Sequence, residues 1–178
     1  MNGANGIKIL TRIFRGTAKA SFRLRLWPAR SDIAVVDRIS LELLTPTFGA
    51  KERISLIDSR LSTIYLLPLL LSALSLLFRW ENWRTQMFRR YLQSCIKLTG
   101  ASAVATTNWG FEPLFYAAQN DESRNYYFFQ TGVLADQAVA FNVSDSCPRP
   151  SNCLILALNV RDMNFFTKKG FEARLLGS

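Results

Sequence analysis

One carboxylate, Asp37, follows a short apolar run that begins after Asp32 and is predicted to be a buried strand. Parallel sheets bind ligands at the carboxyl ends of their strands, so Asp37 is a candidate general base in a cleft. The same position suits the N-cap of a helix over residues 39–44, and the sequence leaves both roles open. Asp58 and Arg60 follow the next strand, where we favour a surface ion pair over a clamp for a phosphate or carboxylate.

Uncharged polar side chains stand at two further strand ends. Thr107 and Asn108 close a predicted strand over residues 102–107, and Gln130, Thr131 and Gly132 close another over residues 126–130. Hydroxyl and amide groups suit a polyhydroxylated ligand better than a phosphate. The glycine allows a sharp turn and a close approach of the backbone to a ligand. The alternative reading of both segments is turn and helix-cap chemistry.

Several kinds of site find no support in the sequence. The chain has no histidine, and its three cysteines lack the spacing of a zinc site. It has no glycine-rich phosphate loop, no histidine-based triad and no acidic metal cluster. We therefore predict neither a metal nor a cofactor.

Helices and strands alternate along the chain and must position these side chains. Strands are predicted at 32–37, 53–58, 102–107, 126–130, 153–158 and 171–176, and helices at 38–44, 82–98, 111–118 and 161–169. This alternation predicts an α/β fold, a Rossmann-like and mostly parallel sheet with helices on both faces. Gly100 is expected to end the helix that precedes the third strand.

The positive charge is concentrated at the start of the chain. Residues 1–30 hold seven of the 22 basic side chains and no acidic one, whereas residues 31–178 are nearly neutral. We predict a basic N-terminal arm over 1–30 and a single domain over 31–178. Such an arm suits an anionic membrane surface, and a disordered leader or an organelle transit peptide are the alternatives. Nucleic acid is disfavoured, since no interleaved aromatic and basic motif accompanies the arm.

The segment 61–79 is the most apolar part of the chain. It is near the lower limit for a membrane-spanning helix, but Pro68 and several hydroxyl residues dilute it. A face at helical spacing favours a helix packed on the sheet, with a membrane-inserted or interfacial helix as the alternative; it consists of Leu66, Leu67, Leu70, Leu74 and Leu77.

The order of these segments resembles that of the N-terminal domain of surface-carbohydrate biosynthesis proteins, relatives of GT-B glycosyltransferases that build bacterial capsule or lipopolysaccharide. The resemblance covers about 150 residues and lies in DIAVVD, SLIDSRLSTIYLLPLLLSAL, YLQSCIKLTGASAVATTNWGFEPLFYAAQ, YYFFQTG and FFTKKGFEARLLGS. The matching positions are Asp37, Arg60, Tyr65, Thr107, Phe115, Tyr116, Gln130, Gly132, Gly177 and Ser178. The family's loop aspartate has no clear counterpart beside Asn108, and Thr131 replaces its asparagine.

The resemblance implies an acceptor-side domain that binds a saccharide or a lipid-linked saccharide. In that family a donor domain binds the nucleotide-sugar and follows the Gly177-Ser178 position, so we expect a truncated or split enzyme completed by a separate donor domain. The expected location is cytoplasmic, peripheral at the inner face of the plasma membrane. The alternatives are a non-catalytic carbohydrate-binding or interaction module and a small protein anchored by the helix 61–79.

Overall fold

The structure is a computed structural model that describes residues 23–49, 51–59, 61–76, 83–108, 112–131 and 148–177. The predictions for residues 1–22, Arg60 and Gly132 lie outside these ranges. The strands are β1 (Arg23–Arg25), β2 (Ile33–Val36), β3 (Ile54–Ile57), β4 (Thr63–Tyr65), β5 (Ala103–Thr106), β6 (Asn125–Phe129), β7 (Cys153–Ala157) and β8 (Glu172–Leu175). The helices are α1 (Arg38–Leu44), α2 (Leu66–Leu76), α3 (Trp83–Thr99), α4 (Glu112–Gln119) and α5 (Val160–Lys168), with a 3₁₀ turn at Thr45–Thr47.

Six strands form one parallel sheet in the order β3-β2-β5-β6-β7-β8. Every neighbouring pair runs in the same direction, with Val35 of β2 opposite both Leu56 of β3 and Ala105 of β5. Apart from the edge strand β8, these strands are short and mainly apolar, as expected where both faces of a parallel sheet are covered. The predicted α/β fold with a Rossmann-like parallel sheet is confirmed.

Side chains alternate between two cores on opposite faces of this sheet. One face packs against α1, where Val35, Ala105 and Leu44 form a small buried cluster. The other face carries the larger core, which includes stacked rings of Phe115 and Phe128 at 4.4 Å between centroids. That larger core takes its helical side chains mainly from α3, α4 and α5.

The segment that begins with residue 61 differs from its prediction. It opens with the short strand β4, which pairs in parallel with β1, so that Leu24 lies opposite Ile64. The helix α2 follows and buries Pro68, Ser72 and Leu76 rather than the predicted leucine face. The prediction that this leucine face packs on the sheet is wrong, because Leu66, Leu70 and Leu74 are exposed. Leu67 is half-buried, and Leu77 lies outside the described residues. Within the described ranges, no helix has both the length and the apolar character needed to cross a membrane.

Helix ends follow the local signals of the sequence. Gly100 has a φ of 71° and directly follows α3, as a glycine that ends a helix does. Its N–H donates to the carbonyl of Lys97 at 3.2 Å. The turn returns the chain to the sheet at Ala103, so that β5 can pair with β2.

Candidate functional site

The order of the strands creates a switch point between β2 and β5. The chain leaves β2 toward β3 on one side, and it later returns to β5 on the other side. Connections that diverge in this way are where parallel sheets bind ligands, outside the carboxyl ends of the two strands. Asp37 follows β2, and Thr107 and Asn108 follow β5. The structure therefore brings three of the predicted site residues to one place.

Asp37 caps the helix α1 that follows it. Its Oδ1 accepts the backbone N–H of Ser40 at 2.7 Å, and its Oδ2 accepts the Ser40 hydroxyl at 2.9 Å. The Thr106 hydroxyl lies 3.3 Å from the same Oδ2. The N-cap interpretation is thus confirmed. A carboxylate offers about four acceptor positions, so these contacts leave about one position for a ligand.

The backbone of Asp37 has an unusual conformation. Its φ is 72° and its ψ is 155°, a region that is almost restricted to glycine. Among the described residues, the only other non-glycine residue with positive φ is Leu61, at 59°. Leu61 follows β3, and therefore both residues lie at the carboxyl edge of the sheet. Strained backbone tends to collect at functional sites, where the surrounding structure holds it in place.

Ser40 joins the two strand ends. Its hydroxyl accepts the N–H of Thr107 at 2.7 Å and lies 2.8 Å from the Thr107 hydroxyl. Ser40 and Thr106 are fully buried, and Thr107 is nearly so. Asn108 completes the segment, donating its N–H to the Thr106 hydroxyl at 3.1 Å while the residue itself is exposed. We call Asp37, Ser40, Thr106, Thr107 and Asn108 the switch-point cluster.

The switch-point cluster combines a buried network with an exposed amide. Inside it, the hydroxyls of Ser40 and Thr106 each donate and accept, which fixes the geometry of the carboxylate. At its surface, the side chain of Asn108 offers one acceptor and two donors. An arrangement of this kind suits a ligand that carries several neutral hydroxyl groups.

Gln130 belongs to a separate cluster at the ends of β6 and β7. Its side-chain nitrogen donates to the buried carboxylate of Asp162, and its oxygen accepts the N–H of Leu158 at 3.0 Å. Asn159 caps α5 by accepting the N–H of Asp162 at 2.8 Å. Gln130 is only 2% exposed, so its amide ties β6 to the start of α5 rather than facing an open cleft.

The remaining predicted site residues are less fully defined. Thr131 is exposed beside Gln130, whereas Arg60 and Gly132 lie outside the described ranges. Asp58 is buried and accepts a hydrogen bond from the Ser62 hydroxyl. The ion pair predicted between Asp58 and Arg60 therefore stays a prediction. In the part of the chain that the structure covers, no group of three metal-ligating side chains is present.

Sequence reasoning missed Ser40 and Asp162. Both stand three residues after a helix-capping side chain, Asp37 and Asn159 respectively. The third position after an N-cap is where reciprocal capping contacts form, so this spacing was the available signal.

The groups with shifted pKa values lie outside the switch-point cluster. Hydrogen bonds from Arg53 lower the pKa of Asp32 to about 2, and the same pairing raises the pKa of Arg53. Burial raises the pKa of Cys95 to about 12, and burial is also the main cause of the raised pKa of Tyr91. These groups hold strands and core together and do not mark a second reactive site.

The fold and site define a class, an α/β protein with a parallel sheet and a polar cluster at its switch point. No known protein family, curated protein or solved structure matches this chain. The inference of function therefore rests on the residues of the site.

Proposed function

We propose that the chain binds a saccharide, free or lipid-linked, in the crevice at the switch point. In this proposal it is the acceptor-side domain of a glycosyltransferase-like protein of bacterial surface polysaccharide synthesis. The observation that carries the proposal is the switch-point cluster, in which the buried Ser40 holds Asp37 and Thr107 together beside the exposed Asn108. The resemblance of the sequence to surface-carbohydrate biosynthesis proteins supports the same ligand class.

Neutral polar groups are the natural partners of a sugar. Asn108 can accept from one hydroxyl of the ligand and donate to another, and Thr131 and the backbone of the neighbouring strand end supply further partners. The cluster brings one carboxylate, Asp37, and none of its other four residues is charged. Phosphate groups would favour a cationic pocket instead.

Asp37 is the proposed general base. With a nucleotide-sugar held by a separate donor domain, its remaining acceptor position would take the proton of the acceptor hydroxyl as that oxygen attacks the anomeric carbon. The bond from that carbon to the donor's phosphate would break, and the nucleotide would leave with the bonding electron pair. The bonds from Ser40 and Thr106 would hold the carboxylate in place for this transfer. Substitution by asparagine would then abolish transfer while binding survives.

A non-catalytic saccharide-binding module is the second candidate. It is favoured by the capping role of Asp37, whose carboxylate already accepts hydrogen bonds from Ser40. A glycosyl-transfer assay of the chain together with its donor domain distinguishes the catalytic from the non-catalytic candidate. If Asp37→Asn leaves transfer unchanged, the carboxylate has no role as a base.

The proposed location is the inner face of the plasma membrane, with the basic residues 1–30 contacting anionic lipid. Salt screens such a contact. Extraction of membranes with concentrated salt should therefore release the protein if the arm alone holds it. Retention after that wash would point to inserted apolar residues in or near the segment 61–79.

Nuclear magnetic resonance tests saccharide binding without knowledge of the sugar. We would titrate the ¹⁵N-labelled chain with the methyl glycosides of glucose, galactose, mannose and N-acetylglucosamine. Shifts confined to Asn108, Thr107, Thr131 and their neighbours are expected for at least one of them. The proposal would be contradicted if none of the four glycosides shifted any resonance, or if the shifts clustered at the amino edge of the sheet.

A further inference from the structure

Helix α2 exposes a stripe of leucines to solvent. Leu70 is 57% exposed and Leu74 is 52% exposed, and Leu66 lies one turn earlier on the same stripe. The buried side of the helix is instead formed by Pro68, Ser72 and Leu76. An apolar stripe of this kind is expensive to leave in water, so it indicates a surface that meets an apolar partner.

The stripe continues onto the strand β1. The N–H of Leu67 donates to the carbonyl of Leu26 at 2.9 Å, which places the end of β1 beside the first turn of α2. Leu24, Leu26 and Trp27 are each more than half exposed. We define the leucine surface as the following six residues: Leu24, Leu26, Trp27, Leu66, Leu70 and Leu74.

Exposed cations lie beside the leucine surface along the chain. Arg23 and Arg25 flank Leu24 on β1 and project from the other face of that strand, and Arg30 follows Trp27 by three residues; all three arginines are exposed. The sequence has no acidic residue before Asp32, and α2 itself carries no charge. An apolar surface with exposed positive charges beside it is complementary to a membrane surface, which has anionic head groups outside and apolar chains inside.

We propose that the leucine surface inserts into the interfacial layer of a bilayer that contains anionic lipid, with α2 lying in the plane of the membrane. The leucines and Trp27 would enter the boundary of the acyl chains, and the arginines would contact lipid phosphates. The 11 residues of α2 rise about 16 Å, which is about half of the hydrocarbon thickness of roughly 30 Å. The described helix therefore lies on the membrane and does not cross it.

Charge selects lipid over a second copy of this chain. A dimer formed through two leucine surfaces would bring the arginines that border each of them close together, and like charges at an interface are unfavourable. The basic residues of segment 1–22 lead directly into β1 and add attraction to an anionic surface. The inference uses residues outside the switch-point cluster and stands whether or not that cluster binds a saccharide.

Vesicle flotation of the full chain tests the proposal. The vesicles are equal parts of phosphatidylcholine and phosphatidylglycerol, and binding is measured in low and in concentrated salt. The test variant is Leu70→Gln with Leu74→Gln. Its matched control is Ile39→Gln with Leu43→Gln, a pair at the same spacing on α1 with exposures of 52% and 51%. A second test pair, Leu24→Gln with Leu26→Gln, covers the strand side of the surface.

The proposal predicts binding that persists in concentrated salt and falls about tenfold or more in either test pair, while the control pair binds like the unmodified chain. Circular dichroism should be unchanged in all variants, since every substituted side chain is exposed. Equal binding by test and control pairs would overturn the proposal, as would binding that salt abolishes completely. Suppose instead that the unmodified chain does not bind vesicles and forms a dimer, and that the Leu70 and Leu74 variant is monomeric. That result would assign the leucine surface to contact with a second copy of the chain.

Discussion

The backbone N–H of Thr107 donates to the Ser40 hydroxyl at 2.7 Å, across 67 residues of sequence. This contact joins the helix that follows β2 to the end of β5, on either side of the switch point. Because Ser40 also donates to Asp37 at 2.9 Å, one buried hydroxyl sets the position of the carboxylate relative to the neighbouring strand end. The geometry of the candidate site therefore depends on a residue that does not itself reach the solvent.

Ser40→Ala should destabilise the chain by about 1–3 kcal/mol. The substitution leaves the N–H of Thr107 without its partner in a buried place and removes one donor to Asp37. Urea unfolding measures the effect. The control is Ser75→Ala, where an exposed hydroxyl only contacts the Ser72 carbonyl within its own helix, and there a change within about 0.5 kcal/mol is expected. Equal effects of the two substitutions would show that the Ser40 contacts contribute nothing.

Among substitutions of Asp37, the asparagine variant should be the most stable, the glycine variant intermediate and the alanine variant the least stable. Asparagine keeps the capping oxygen, and glycine loses the cap but relieves a strained backbone that costs about 1–3 kcal/mol. Alanine loses the cap and keeps the strain of a φ of 72°. Thermal unfolding gives the order. An alanine variant more stable than the glycine variant would contradict a positive φ at this position.

The carboxyl of Asp32 should titrate with a pKa of about 2 because Arg53 binds it through side chain and backbone. Arg53→Gln should raise that pKa toward the ordinary 3.8 but not fully, since the backbone bond remains. The folded pKa is lowered, so the pair stabilises the chain above about pH 4 and this contribution is lost as the pH falls toward 2. Carboxyl resonances of labelled aspartate measure the titration. Arg174→Gln, in the exposed pair with Glu172, is the control and should leave Asp32 unchanged.

Alkaline conditions should destabilise the chain through Cys95. Burial raises the pKa of its thiol to about 12 from 9.0, so the unfolded chain loses that proton first and stability falls as the pH rises from 9 toward 12. Unfolding in urea at a series of pH values should show a shallower decline for Cys95→Ala. The thiol should also resist alkylation in the folded chain, because the thiolate is the reactive form. Parallel declines in the two proteins would contradict the shift.

Local signals predicted the elements that carry the switch-point cluster. Apolar runs gave β2 and β5, and the position of Asp37 predicted both a strand end and a helix cap. The parallel arrangement followed from the alternation of strands and helices. Only the link through Ser40 was hidden, since its partner Thr107 is distant in sequence and no pattern encodes that pairing.

Pairing and orientation were harder to predict than periodicity. The alternation of arginine and leucine in Arg23–Arg25 is too short to predict a strand, and its pairing with Thr63–Tyr65 cannot be read from sequence, so the sequence places these residues in the basic arm. The leucine spacing of α2 correctly predicted an apolar stripe on the helix, but it did not predict that the stripe faces solvent. The amide of Gln130 was placed at a strand end, and its burial against Asp162 depended on the packing of α5.

The affinity of the chain for the tightest-binding methyl glycoside of the four, with and without the amide of Asn108, tests the central claim most directly. Asn125 is the matched control, an exposed asparagine at the opposite, amino end of β6. We predict that Asn108→Ala raises the Kd about threefold to tenfold, as the loss of one or two hydrogen bonds requires. Asn125→Ala should leave the Kd unchanged, with calorimetric titration as the measurement. An unchanged Kd in Asn108→Ala, or an equal loss in both variants, would contradict saccharide binding at the switch point.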